Sequence, residues 1–203
     1  MSYANRARPP RTLTVDEQRR ILAQTGKARG DFRDHMLIAM ALGTGLREFE
    51  LCALDCGDVF NARLAARRRV ELRTFKGGSD SPALQEVFVP DALAHKLTRF
   101  AKWKKKEGQD TAPSAPLFVA RGARRLSCRR VREIFAAARE LAELGDRLHF
   151  HSLRHTFCQN LYERTRDIRL VQRAARHANL TTTTIYAEPS TEMVAGAVRD
   201  LEC

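Results

Sequence analysis

No stretch of this chain approaches the roughly 18 consecutive apolar residues that a membrane helix requires. The opening MSYANRARPPRTLTVDEQRR lacks the apolar segment of a secretory leader. A cytoplasmic protein with no membrane partner is the expectation. Cysteine is sparse and unpaired in pattern. Cys52, Cys56, Cys128, Cys158 and Cys203 make an odd number with no C-x-x-C, which argues against a disulfide framework or a structural zinc site and fits reduced thiols. Cys52 and Cys56, four apart in an apolar helical run, read as small core residues. Aromatic residues are 7% of the chain, with three tyrosines and one tryptophan. Gly43-Thr-Gly45 has no phosphate-loop lysine after it and does not fit a dinucleotide fingerprint, so nucleotide binding is unsupported.

Acidic residues are also short. Twenty-four Asp and Glu face 36 Lys and Arg, leaving +12, and such an excess favours a polyanion, most commonly nucleic acid. The basic residues are spread through helical segments rather than gathered beside an amphipathic anchor, which disfavours a membrane surface. With 203 residues, 43% hydrophobic and 30% charged, the chain suits one core with a small appendage, not two domains of average size.

Residues 1–11, basic and carrying Pro9-Pro10, read as a flexible tip. Thr14-x-x-Glu17 is a capping-box pattern that opens a first helix. FRDHMLIAMALGTG predicts a buried helix ending at Gly43 or Gly45, and LREFELCALD a second one directly after it. Alternation over Arg68–Thr74, turn chemistry at Gly77-Gly78-Ser79-Asp80 and EVFVP at 86–90 predict a small antiparallel sheet. Helical pattern resumes from Ala92 to about Lys106, and EGQDTAPSAP (107–116) is a Pro-containing loop. LFVA then reads as a short strand or the approach to a turn. Further helices are expected at 127–143, 152–164, 167–176, 180–187 and 190–201. The fold class is therefore mainly α with a small antiparallel β-sheet, in one domain over 12–189, followed by a tail helix at 190–203.

Three segments concentrate reactive residue types. LHFHSLRHTF (148–157) crowds His149, His151, Arg154 and His155 at a helix start, with His151 and Arg154 spaced to face one ligand. His151 and His155 have metal-ligand spacing, but the H-E-x-x-H glutamate is missing, so no metal is expected. RAARHANLTTTTIYAE (173–188) leads from Arg176-His177 to Tyr186, a tyrosine in polar surroundings near the chain end. GTGLREFELCALD (43–55) presents Arg47 after a glycine turn, with Glu50 one turn on and placed to hold it.

TGLRxxEL, then H-x-x-R-H, then R-H with Tyr nine residues beyond the histidine resembles, in order and spacing, the tyrosine recombinase (phage integrase) family over about residues 12–190. The resemblance implies a DNA strand transferase of the DNA breaking–rejoining fold, with no metal, ATP or small-molecule cofactor. It assigns Arg47 and Arg154 to clamp the scissile phosphate, His151 to proton transfer near the tyrosine hydroxyl, His177 to the phosphate and Tyr186 to attack. Lys76, in the hairpin turn TFKGGSD, would protonate the leaving 5′-oxygen, and Glu50 would support the arginine. The hairpin is longer than usual for the family, which leaves the placement of Lys76 the least secure. Double-stranded DNA is the implied partner and a homo-tetramer on DNA the implied assembly, with the C-terminal tail docking on a neighbouring protomer.

Arg124, Arg125, Arg129, Arg130 and Arg132, at the head of an amphipathic helix, are expected to touch DNA, and KWKKKEG (102–108) is a second basic site. Two departures stand out. Arg176 replaces the glycine that usually precedes the second histidine in the family, adding a phosphate contact or disturbing the turn. The N-terminal DNA-clamping domain is expected to be absent, since the catalytic pattern begins by residue 12. Two rivals share the same residues: a type IB topoisomerase-like enzyme that nicks and reseals, and a non-catalytic DNA-binding accessory factor.

Overall fold

The computed structural model describes residues 11–25, 32–73, 85–177, 179–187 and 199. The chain divides into two compact units, Met1–Phe157 and Cys158–Cys203. Among the described residues no helix is long and apolar enough to cross a membrane.

The first unit opens with α1 (Val15–Gln24). Its capping box forms as the spacing predicts: Glu17 N–H donates to Thr14 Oγ1 at 3.2 Å, and Glu17 Oε2 accepts from Thr14 N–H at 2.8 Å. The buried helix is α2 (Phe32–Thr44), with Met36 to Ala41 all in the core. Side chains the size of Met36, Leu37, Ile38 and Met40 contribute about 1.5–3 kcal/mol each when fully buried.

The next segment departs from the sequence expectation. In place of one helix through LREFELCALD, the chain forms α3 (Glu48–Ala53), an extended step at Leu54–Asp55, and α4 (Cys56–Val59). The cause is tertiary. Leu54 O accepts from Leu117 N–H at 3.0 Å, Cys56 N–H donates to Ala115 O at 2.8 Å, and Gly57 N–H donates to Pro113 O at 2.9 Å. The proline loop thus captures backbone groups that a continuous helix would have kept, satisfying them without water. Cys52 and Cys56 are both core residues as expected, but on separate helices.

The small sheet pairs β1 (Arg69–Leu72) with β2 (Gln85–Phe88), antiparallel, with Val70 opposite Val87 on the buried side. The hairpin turn, Lys76 included, lies outside the described residues. α5 (Asp91–Lys106) follows. Its basic end is not uniformly solvated. Lys104 is completely buried, and its ammonium gives all three protons away, to Gln109 Oε1 (3.1 Å), Pro116 O (3.2 Å) and Leu117 O (3.0 Å). Burial pulls the Lys104 pKa down, against the opposing charges of Cys56 and Asp110. Lys104 is accordingly an anchor for the loop and not a DNA contact. Trp103 packs, stacked on Phe100 with centroids 5.3 Å apart.

LFVA (117–120) makes no strand; isolated bridges form just before it, Asp55 with Pro116, and within it, Val119 with Arg125. α6 (Cys128–Leu141), capped by Ser127, buries Val131, Ile134, Phe135 and Ala138, the set its spacing predicts. α7 (Phe150–Thr165) begins two residues earlier than expected and contributes its first turns to this unit. The second unit carries the rest of α7, then α8 (Ile168–Ala175), capped by Asp167, and the short α9 (Thr181–Thr184). Of the expected tail helix, all but residue 199 lies outside the described residues.

Candidate active site

In the first unit the site is built around one glycine. Gly45 sits at φ +62°, the left-handed region that costs an L-residue roughly 1–2 kcal/mol, and a Cβ there would collide with the Phe157 ring. This close approach lets α7 pack onto the turn. Arg154, 3% exposed, then reaches Gly45 O with Nη1 at 2.5 Å. Two residues on from Gly45, Arg47 opens α3 as its N-cap. Its backbone N–H donates to Glu50 Oε2 (2.7 Å) and its Nη1 to Glu50 Oε1 (2.8 Å). The Glu50 carboxylate is fully buried, so the pair holds the guanidinium in one orientation. Glu50 therefore does what its spacing predicts.

His151 stands one turn before Arg154. It keeps an exposed surface, yet the protein crowding its ring, and then the charges of Arg154 and Arg47, hold its pKa below the ordinary imidazole range. His155 meets His151 edge to face, centroids 4.7 Å apart at 88°. Burial, then His151 and Arg154, push the His155 pKa down to about 4.

That depression has a sign. The unfolded chain takes up a proton in the ordinary imidazole range, whereas folded His155 does not until about pH 4. The stability that His155 contributes is therefore complete above the imidazole range and lost as pH falls toward 4. Thermal denaturation across this interval should show the loss, and His155→Gln should flatten it.

The second unit holds the other two predicted side chains, and a threonine joins them. His177 Nδ1 lies 2.9 Å from Thr183 Oγ1, while Tyr186 N–H donates to Thr183 O at 3.1 Å. Thr183 is completely buried and Tyr186 is 7% exposed. The sequence reading missed Thr183, because four consecutive threonines gave no sign of which one faces inward. Arg176 takes the left-handed cap of α8, φ +57° and ψ +47°, and donates its N–H to Arg173 O. That conformation explains why glycine suits the position: the arginine preserves the turn at a conformational cost. Arg176→Gly is expected to stabilise the chain by about 1 kcal/mol, raising Tm by roughly 2–4 °C in a melting experiment.

The predicted DNA-reading arginines separate into two groups. All five, Arg124, Arg125, Arg129, Arg130 and Arg132, are exposed, and they differ in their ties. Arg129 and Arg130 share Glu133 (3.1 and 3.0 Å), and Arg132 pairs with Glu48 at 3.0 Å. Arg125 belongs elsewhere. It precedes the helix, donates from Nη1 to the carbonyls of Cys52, Ala53 and Leu54, each at 3.0 Å, and forms an ion pair with Asp55. Burial would raise the Asp55 pKa, but bonds and charge from Arg125 and Arg73 outweigh it and hold the carboxyl below its usual range. Arg125 thus fastens the C-terminal end of α3, while its side chain keeps 38% of its surface exposed. Among the described residues no group of three or more His, Cys, Asp or Glu is arranged to hold a metal ion.

The architecture recurs among solved proteins. The crystal structure of XerA recombinase superposes with a TM-score of 0.73 at 21% identity, covering 96% of this chain and 67% of that one. XerH site-specific recombinase, in a pre-cleavage complex with difH substrate, gives 0.76 at 22% identity, with 99% and 57% covered. In sequence, tyrosine recombinase XerA of Pyrococcus horikoshii is 29% identical over 190 residues, 93% of this chain and 60% of the relative. Tyrosine recombinase XerC of Chromohalobacter salexigens is 33% identical over 190 residues, 93% and 59% respectively. The chain thus spans about three-fifths of the length of these relatives. Residues 11–193, most of the chain, match the Phage integrase family, and Arg47, His151, Arg154, His177 and Tyr186 all fall inside that match; the chain belongs to this family.

Proposed function

We propose that this chain is the catalytic part of a site-specific tyrosine recombinase that cuts and rejoins double-stranded DNA through a 3′-phosphotyrosine intermediate. The observation that carries the reading is the anchoring of two guanidinium groups, Arg47 by buried Glu50 and Arg154 by Gly45 O, with His151 one turn before Arg154 and its pKa lowered by burial and then by the charges of both. Planar guanidinium forks can each give two charge-assisted bonds to a phosphate, and those bonds strengthen as charge accumulates on the phosphorane.

Tyr186 Oη attacks the phosphorus, forming the phosphotyrosine bond as the bond to the 5′-oxygen breaks. A phenol with an ordinary pKa near 10 needs a base, and His151, kept neutral, is suited to accept its proton. His177 steadies a phosphate oxygen, and Lys76 protonates the leaving 5′-oxygen. The phosphoester conserves the bond energy, so attack by a 5′-hydroxyl reverses the step without ATP. DNA and a tetramer of this chain are the proposed partners. For DNA, solved relatives point the same way: they include Tn1549 transposon integrase in complex with transposon right end DNA and a lambda integrase dimer bound to a COC′ core site.

The test is a pool of nicked suicide duplexes, in which the cleaved strand loses its short 5′-hydroxyl fragment and cannot be resealed. A recombinase accumulates a denaturation-resistant protein–DNA adduct and, given two intact sites, exchanges strands between them. An adduct without exchange would point to a topoisomerase-like enzyme, and DNA binding with no adduct would overturn the catalytic reading.

A further inference from the structure

α6 lies against α3 in antiparallel register, and three side-chain ties mark the contact. Arg132 on α6 pairs with Glu48 at the head of α3 (3.0 Å). One turn back, the Cys128 thiol donates to Cys52 Sγ at 3.8 Å. Just before α6, Arg125 holds the last carbonyls of α3. The outer two ties fix the helices on either side of the sulfurs, so the thiols are held face to face by the fold. Cys128 is partly exposed, whereas Cys52 is 9% exposed.

We infer that Cys52 and Cys128 form an oxidation site that closes, on exposure to a hydroperoxide, into a disulfide locking α3 to α6. The sulfurs need to approach by about 1.8 Å to reach the ~2.05 Å bond, a displacement shared between a six-residue helix and the first turn of α6. The accessible thiol reacts first: Cys128 sulfur takes one oxygen from the peroxide, giving a sulfenic acid and water. Cys52 sulfur then attacks the sulfenic sulfur, forming the S–S bond and releasing the second water, so two thiols and one peroxide yield one disulfide and two waters. Burial, and then the neighbouring Cys128, push the Cys52 pKa up to about 12, so the inner thiol is not the one that meets the oxidant; its place 3.8 Å from Cys128 Sγ is what makes it the resolving sulfur, its proton leaving in the second water. The lock would sit within the helix that carries Glu50 and, at its N-cap, Arg47.

The inference does not rest on DNA cleavage, and its test reads sulfur chemistry alone. The intact chain is treated with hydrogen peroxide, the remaining thiols are blocked, and peptides are mapped by mass spectrometry before and after dithiothreitol. The expected result is a 2 Da mass loss, two fewer titratable thiols and a reducible peptide joining Cys52 to Cys128. Cys128→Ser should lose that peptide, and Cys158→Ser should retain it. Retention of both thiols, or cross-links that involve Cys56, Cys158 or Cys203 in place of this pair, would overturn the site. Because the unaltered chain carries the measurement, a variant that fails to fold does not blunt it.

Discussion

Tyr186→Phe is expected to abolish the covalent protein–DNA adduct while leaving the fold and DNA affinity in place, a loss of roughly 10⁴-fold or more in cleavage. The substitution removes one oxygen. Tyr186 is placed by backbone, through the bond from its N–H to Thr183 O, and by burial of its ring, and phenylalanine keeps both. The loss therefore isolates chemistry from packing. Cleavage of the suicide duplex, followed on a denaturing gel, is the measurement, with band-shift affinity and a melting curve as controls. An adduct that survives the substitution would move the nucleophile elsewhere.

Arg154→Lys is the second large effect, about 10²–10³ in the cleavage rate under saturating DNA. Charge is preserved, so ground-state attraction to the phosphate backbone should change little. What disappears is geometry. Arg154 reaches Gly45 O with one nitrogen and is almost wholly enclosed, so its guanidinium is fixed by the packing of α7 on the glycine turn. A lysine ammonium is a point donor on a flexible stem and cannot satisfy Gly45 O and present a planar fork together. Single-turnover cleavage should therefore fall far more than DNA affinity. Equal losses in both would recast Arg154 as a DNA-binding or structural residue.

The local pairs of the candidate site were legible because they obey local rules. Arg47 and Glu50 meet at i, i+3 on one short helix, and His151 and Arg154 share a face at the start of another, so spacing alone brought each pair together. The capping box at Thr14 and the apolar stripe of α6 were legible for the same reason. What escaped was set by distant parts of the chain. Nothing in LREFELCALD signals a break, since the backbone groups that interrupt it are claimed by Pro113, Ala115 and Leu117, some sixty residues away. Lys104 and Arg125 look like their basic neighbours in sequence. One turns inward to three acceptors and the other folds back on three carbonyls, and only the tertiary structure supplies those acceptors. Charge counted along a chain overstates what a polyanion meets.

Thr183 carries a consequence of its own. With its hydroxyl on the His177 ring and its carbonyl on the Tyr186 amide, it couples two chemically different groups into one mechanical cartridge. Any motion that advances or retracts the phenol carries the imidazole with it, so a half-assembled state with one present and the other withdrawn is disfavoured. The positions of phenol and imidazole are thus set together, by one short segment within their own unit.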